Sequence, residues 1–182
     1  MTYLRPLLEL DDRLSHRLRL PPGQRWLWPL AGFFAHSGDS WFWLAGLGLV
    51  WLFGGSAWHD RSAVMAIGVF GLAVLVLAIK FTVRRQRPPG EWGAIYRSAD
   101  PHSFPSGHAA RSVMLATLAW QLGPPWFGWL LLAWAPLVCL ARVLVGVHYL
   151  SDILAGVVVG FLAALLLLAS MPLWTALVPF LF

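Results

Sequence analysis

Five long apolar stretches constrain this chain more than any other feature: roughly residues 40–57, 62–83, 107–121, 126–147 and 149–170. They are separated by Gly54-Gly55, by the proline- and charge-rich segment Arg84 to Phe104, by Pro124-Pro125 and by a break near Gly146. A bilayer-spanning helix needs about 20 mainly apolar residues. Within lipid, a chain must satisfy its backbone polar groups internally, and a continuous apolar run does so as a helix. Of the 182 residues, 59% are hydrophobic and 12% charged, whereas a soluble domain carries about 25% charge. Most soluble folds are thereby excluded. The expectation is an all-α, polytopic helical membrane protein of five to six spans. The sixth candidate is Trp26 to Ala35, which is about half a spanning length, contains Pro29 and reads as a re-entrant or interfacial piece.

The two ends differ from the middle. Leu7, Leu8, Leu10, Leu14 and Leu18 recur at helical spacing with charges between them, the pattern of an amphipathic helix in the interface ended by Pro21-Pro22. Those charges also deny the first 25 residues the uninterrupted apolar core of a cleavable signal peptide. Residues 1–36 are therefore read as an interfacial N-terminal segment, 37–170 as the membrane-embedded domain, and 171–182 as an apolar tail along the membrane surface or a neighbouring helix. Cys139 is the only cysteine, which excludes an intrachain disulfide and a multi-cysteine metal site. The basic residues are one lysine, Lys80, and twelve arginines, and they are not grouped on a separable polar domain, so a nucleic-acid partner is excluded. The twelve tryptophans suit interfacial belts.

Polar residues inside membrane helices are costly and mark function by default. Here they fall at particular places. Lys80 ends the second apolar stretch, with Arg87-Pro88 shortly after it; Pro105-Ser106-Gly107-His108 opens the third; Arg142 is near the end of the fourth, and His148 and Asp152 are at the start of the fifth. A helix that enters from one face leaves on the other, so these groups converge at one membrane surface. Lys80, Arg87 and Arg142 would suit a phosphate, two of them through forked donors. Ser106 and Gly107 precede a helix N-terminus, which favours an anion. Asp152 lies four residues after His148 and can hold one ring nitrogen while the other acts as nucleophile; His108 can protonate a leaving oxygen. A nucleophile, its orienting carboxylate, an acid and an anion cradle together describe phosphoryl transfer.

The three groups read K-x6-RP (Lys80 to Arg87-Pro88), PSGH (Pro105 to His108) and AR-x5-H-x3-D (Ala141-Arg142 to His148 to Asp152). In residue type, spacing and order they resemble the type 2 phosphatidic acid phosphatase family of membrane lipid phosphatases, over about residues 36–170. The resemblance implies the helical core that this family shares with vanadium haloperoxidases. It also implies attack of His148 on phosphorus, orientation by Asp152, proton donation by His108, and oxygen binding by Lys80, Arg87, Ser106, Gly107 and Arg142, with no metal or other cofactor. One residue departs from the pattern: Ala141 stands where the family has serine, and loss of that hydroxyl is expected to weaken oxygen binding by about 0.5–1.5 kcal/mol.

The expected activity is hydrolysis of a lipid phosphate or diphosphate, with a polyprenyl diphosphate, phosphatidate and phosphatidylglycerophosphate as candidates. The alternatives are phosphoryl transfer to another acceptor at the same site, and non-catalytic binding or transport of lipid phosphates. Arg111 and His102, with Glu91 and Tyr96, are candidates for head-group contacts. Arg84 and Arg85 read as interfacial anchors. In His36-Ser37-Gly38-Asp39, Ser37 or Asp39 is expected to cap the next helix. Sidedness turns on the short Trp26–Ala35 piece. If it does not cross, Arg5, Arg13, Arg17, Arg19 and Arg25 join Arg84, Arg85, Arg97 and Arg111 on the active face, against Arg61 opposite, and the positive-inside rule points to the cytoplasm. The resemblance points to the extracytoplasmic face.

Overall fold

The computed structural model describes residues 5–21, 24–89 and 100–182. The helices are α1 (Arg5–Leu18), α2 (Leu27–Ser37), α3 (Ser40–Phe53), α4 (Ser56–Val83), α5 (Gly107–Leu122), α6 (Pro125–Leu144), α7 (Leu150–Ala169) and α8 (Met171–Leu177), followed by a 3-10 turn at Pro179–Leu181. Among the described residues the only β pairing is one isolated bridge between Gln86 and His102. The described part of the chain is all-helical in its regular structure.

Helices α4, α6 and α7 are long and apolar enough to cross a membrane. The α3 helix, 14 residues, and α5, 16 residues, run between the same two ends of the bundle but are shorter, about 21 and 24 Å. Large side chains such as Phe70, Leu154, Leu166 and Phe53 stay exposed, an apolar outer surface that lipid tails would cover. α2 has 11 residues, about 16 Å, and cannot cross a hydrocarbon layer of about 30 Å. Its Ala31 and Ala35 pack on Ala141, Val145 and Val147 at the end of α6. The tail returns to the bundle, where Trp51 Nε1 donates to the Leu181 carbonyl at 2.9 Å.

At the centre is α5, packed between α4, α6 and α7. Met114, Leu115 and Leu118 on α5 close against Val69 and Leu72 of α4 and Leu131 of α6. Its junction with α7 depends on small residues. Built at Gly160, a Cβ would lie 2.0 Å from the Ala110 carbonyl oxygen; at Gly156 it would lie 2.6 Å from that of Ser106. Two backbones thus meet directly over one helical turn, as small residues allow in membranes. That contact carries a hydrogen bond from the Ser106 N–H to the Asp152 carbonyl at 3.0 Å, which joins the PSGH turn to the helix bearing Asp152.

α1 lies across this end of the bundle. Its Ser15 is fully buried and accepts from the Leu150 N–H at 2.9 Å, and Asp11 Oδ1 accepts from the Ser151 N–H at 3.0 Å. The first amides of a helix have no partner within it. Here α1 supplies two partners, so the N-terminal segment caps α7 from a distance.

Candidate active site

The end of α4, the start of α5, the end of α6 and the turn before α7 meet at one end of the bundle around a cavity of about 190 Å³. Lys80, Arg87, Gly107, His108, Arg111, Arg142 and His148 all line it. The sequence-based convergence of three separated groups is therefore what the tertiary fold builds.

His148 sits ahead of α7 rather than within it. Gly146 makes this possible: with φ +74 it occupies the left-handed region that favours glycine, and it turns the chain out of α6 so that the Val147 N–H returns to the Arg142 carbonyl at 3.3 Å. Asp152, in the first turn of α7, then reaches back. Its Oδ2 accepts from the Tyr149 N–H at 2.9 Å and lies 3.4 Å from His148 Nδ1. The opposite ring nitrogen, Nε2, is 3.3 Å from Arg87 Nη1. Both residues are essentially inaccessible, at 1% and 0%, so the carboxylate faces the imidazole without competition from bulk water.

Asp152 is held by hydrogen bonds from residues other than the histidine. Arg85 Nη1 donates to its Oδ1 at 2.8 Å and to Ser151 Oγ at 2.6 Å, while Nη2 donates to Asp11 Oδ2 at 2.7 Å. The expectation of an anchoring role for Arg85 is thus corrected: its guanidinium is turned inward and bridges α1 to the carboxylate behind His148. Only Arg84 remains exposed, ending α4 with φ 52. The Arg85→Ala variant removes the one charged hydrogen bond that Arg85 gives the buried Asp152 carboxylate and cuts its bridge to Asp11. It is expected to lower kcat by about tenfold to a hundredfold, at about 1.5–3 kcal/mol per such bond, with KM changed far less because Arg85 does not touch the cavity. Steady-state phosphate release checks this.

The basic cradle is built around a resident carboxylate. Arg87 Nη2 is 2.8 Å from Asp100 Oδ2, Arg87 Nε donates to the Asp100 carbonyl at 2.7 Å, and Lys80 Nζ also donates to Asp100 Oδ2. Lys80 and Arg87 are both buried, at 4%. Desolvated cations of this kind require an anion, and Asp100 supplies one where a phosphoryl oxygen would fit. Nothing in the spacing of the three sequence motifs marks Asp100. Arg142, 1% exposed, donates through Nη1 to the Ala35 carbonyl at 3.2 Å, so α2 fixes the far side of the cradle.

The other expected residues divide. Gly107 opens α5 on the cavity wall. Ser106 does not line it; its Oγ accepts from the Ala109 N–H at 3.4 Å as the helix cap. Arg111 lines the cavity and donates to the Gly38 carbonyl. His102 is placed outside the cavity, edge-on to Phe81 at 5.4 Å between centroids. Glu91 and Tyr96 lie outside the described residues. Ala141 is buried in the contact with α2 and is absent from the cavity wall, so a hydroxyl there would not face the cradle. The Ala141→Ser variant is accordingly expected to leave KM for phosphate substrates within about twofold of the parent, measured by initial rates.

Asp39, expected as a helix cap, occupies the N-cap position of α3 without any side-chain cap hydrogen bond. Its Oδ1 is instead 2.6 Å from His108 Nε2, and its Oδ2 is 3.4 Å from His36 Nδ1. Burial opposes its charge, but the hydrogen bond and positive charge of His108, with His36 beyond, hold the carboxyl down at about 2. Ser37 does not cap α3 either: its Oγ donates to the Phe34 carbonyl and accepts from Trp134 Nε1, both at 2.9 Å.

Known proteins share the fold and part of the sequence. The structure of a PAP2-type phosphatidylglycerolphosphate phosphatase from Bacillus subtilis superposes with a TM-score of 0.72 at 24% identity, over 90% of this chain and 85% of that one. Aquifex aeolicus LpxE superposes with a TM-score of 0.63 at 24% identity, over 89% and 94%. In sequence, the decaprenylphosphoryl-5-phosphoribose phosphatase of Mycobacterium tuberculosis is 38% identical over 101 residues, covering 53% of this chain and 54% of that protein. Undecaprenyl-diphosphatase BcrC of Bacillus subtilis is 29% identical over 121 residues, covering 64% and 61%. The chain thus spans a little over half the length of these relatives. Residues 61–176 match the model of the PAP2 superfamily and include every one of the three motifs. The chain belongs to the PAP2 superfamily.

Proposed function

We propose that this protein is an integral-membrane phosphatase that hydrolyses a lipid phosphate or diphosphate through a phosphohistidine on His148. The observation that carries the reading is the placement of His148, backed by Asp152, on a cavity that also presents Lys80, Arg87, Arg142 and His108. In the first step Nε2 of His148 attacks phosphorus, the bond from phosphorus to the leaving oxygen breaks, and His108 protonates that oxygen. Lys80, Arg87 and Arg142 hold the remaining oxygens as their charge redistributes. Water then attacks phosphorus, His108 accepts its proton, and phosphate leaves His148. The residues supply every proton and charge, so no metal enters the cycle.

The substrate reading is a polyprenyl-linked phosphate or diphosphate. Two of the similar proteins carry decaprenyl and undecaprenyl substrates in their names, and the cavity wall on α4 includes Leu72, Val76 and Leu77, suited to the first carbons of a lipid chain. The test is release of phosphate by purified protein, without added metal, from undecaprenyl diphosphate, phosphatidate and phosphatidylglycerophosphate. Turnover that survives His148→Ala would refute the mechanism; turnover of the glycerophospholipids alone would refute the substrate reading.

Asp100 bears on affinity. Because its carboxylate competes for Lys80 and Arg87, Asp100→Asn is expected to tighten inhibition by inorganic phosphate by about tenfold, a gain of about 1.4 kcal/mol. An inhibition constant equal to that of the parent would show that the carboxylate does not compete.

The short α2 leaves Arg5, Arg13, Arg17 and Arg25 on the same side as the cavity, with Arg61 opposite. Positive-inside bias then favours a cytoplasmic site, against the extracytoplasmic expectation from the resemblance. Single cysteines at residues 25 and 61, in a Cys139→Ala background, decide between them by labelling of intact cells with an impermeant maleimide.

A further inference from the structure

We infer that Asp39 is the positioning residue for His108: its carboxylate fixes the ring and its proton so that His108 can protonate the leaving oxygen. This role rests on the phosphohistidine reading above. The Cδ2–Nε2 edge of the ring lies against Gly38 and Asp39, because a Cβ built at Gly38 would be 3.3 Å from His108 Cδ2 and Nε2 is 2.6 Å from Asp39 Oδ1. A carboxylate on one imidazole nitrogen selects the tautomer and stabilises the cation, which leaves the other nitrogen for chemistry. Here that nitrogen is Nδ1, and His108 lines the cavity.

The segment bearing Asp39 is built to hold still. Arg142 binds the Ala35 carbonyl, Arg111 binds the Gly38 carbonyl, and Trp43 Nε1 donates to the Ser37 carbonyl at 3.0 Å. Two cradle-lining arginines therefore tie the loop that presents the carboxylate. Asp39 heads α3 in the position where a carboxylate ordinarily caps the helix, yet its side chain is directed to the histidine. In the reaction, the proton on His108 Nδ1 passes to the leaving oxygen as the bond from phosphorus to His148 Nε2 forms. Neutral His108 then takes the proton of the attacking water.

A carboxylate that serves proton donation matters only when the leaving group needs a proton. Phosphatidate expels an alkoxide and needs one; 4-nitrophenyl phosphate expels a stable phenolate and does not. Asp39→Asn and Asp39→Ala are therefore expected to lower kcat/KM for phosphatidate in micelles by about tenfold and a hundredfold, a part of the 10²–10⁴ that a general acid contributes. Both should hold kcat/KM for 4-nitrophenyl phosphate within about threefold of the parent. His108→Ala should lower kcat/KM for phosphatidate at least as far as Asp39→Ala does. Equal losses on both substrates would make Asp39 merely structural, and an unchanged rate on phosphatidate would remove it from the reaction; either overturns the inference. The near-isosteric Asn variant keeps the test decisive if the Ala variant folds poorly. His148→Ala separates the two layers: activity retained there on both substrates overturns the phosphohistidine reading and this role with it, whereas activity lost there without the leaving-group split overturns only the role of Asp39.

Discussion

Replacing His148 by alanine is expected to lower kcat by about 10⁴-fold or more, because an alanine offers no nucleophile and the residual rate comes only from binding and charge. The loss should appear in kcat rather than in affinity. Lys80, Arg87 and Arg142 keep partners besides His148: Asp100 for the first two, with the Val147 carbonyl also accepting from Arg87 at 3.0 Å, and Ala35 for the third, so the variant loses only the 3.3 Å contact of Arg87 Nη1 with the imidazole. Inorganic phosphate should therefore bind the variant within a few-fold of the parent, a difference below about 1 kcal/mol. Single-turnover phosphate release together with equilibrium phosphate binding checks both halves. Collapse of binding along with turnover would mean that His148 holds the cradle together, contrary to the hydrogen bonds that now fix it.

The largest expected effect on folding comes from Gly160→Ala. The added methyl would be placed 2.0 Å from the Ala110 carbonyl oxygen and 2.8 Å from its Cα, contacts with backbone that no rotamer can relieve. Helices α5 and α7 would have to move apart, at a cost of about 3 kcal/mol, the upper part of the range for overpacking. For a chain of this size that corresponds to a fall in Tm of about 6–12 °C. Separation would also lengthen the Ser106 to Asp152 hydrogen bond, so activity should fall with stability. Gly46→Ala is the control, since a Cβ there meets nothing within 4 Å. Thermal unfolding in detergent compares the two, and a Gly160→Ala protein as stable as Gly46→Ala would overturn the close-packing argument.

Much of the site was legible because its residues are unusual for their surroundings. A lysine, two arginines, two histidines and an aspartate at the ends of apolar stretches have few structural explanations, and helix parity alone brings them to one face. The partners were not legible. Arg85 is one of several basic residues after α4, and nothing local distinguishes its inward guanidinium from that of the exposed Arg84. Asp39 carries a good capping signal, and only the proximity of α5 redirects its carboxylate to His108. Asp100 and Asp11 belong to segments whose register against the bundle cannot be read from periodicity. Ala141 is the converse case, where a motif position looked chemical and the helix turns it toward α2.

The amino-acid sequence by itself determined the all-helical membrane architecture, because lipid leaves an apolar backbone no other way to satisfy its hydrogen bonds. It likewise marked the candidate site, because the proposed nucleophile, acid and cradle are residue types at set spacings. Tertiary structure alone decided which carboxylate lies beside which imidazole. Those choices depend on the direct backbone contact at Gly156 and Gly160, on α1 capping α7 through Asp11 and Ser15, and on an α2 too short to cross. Each is a distance between segments far apart in the chain, set by packing and not by any local preference.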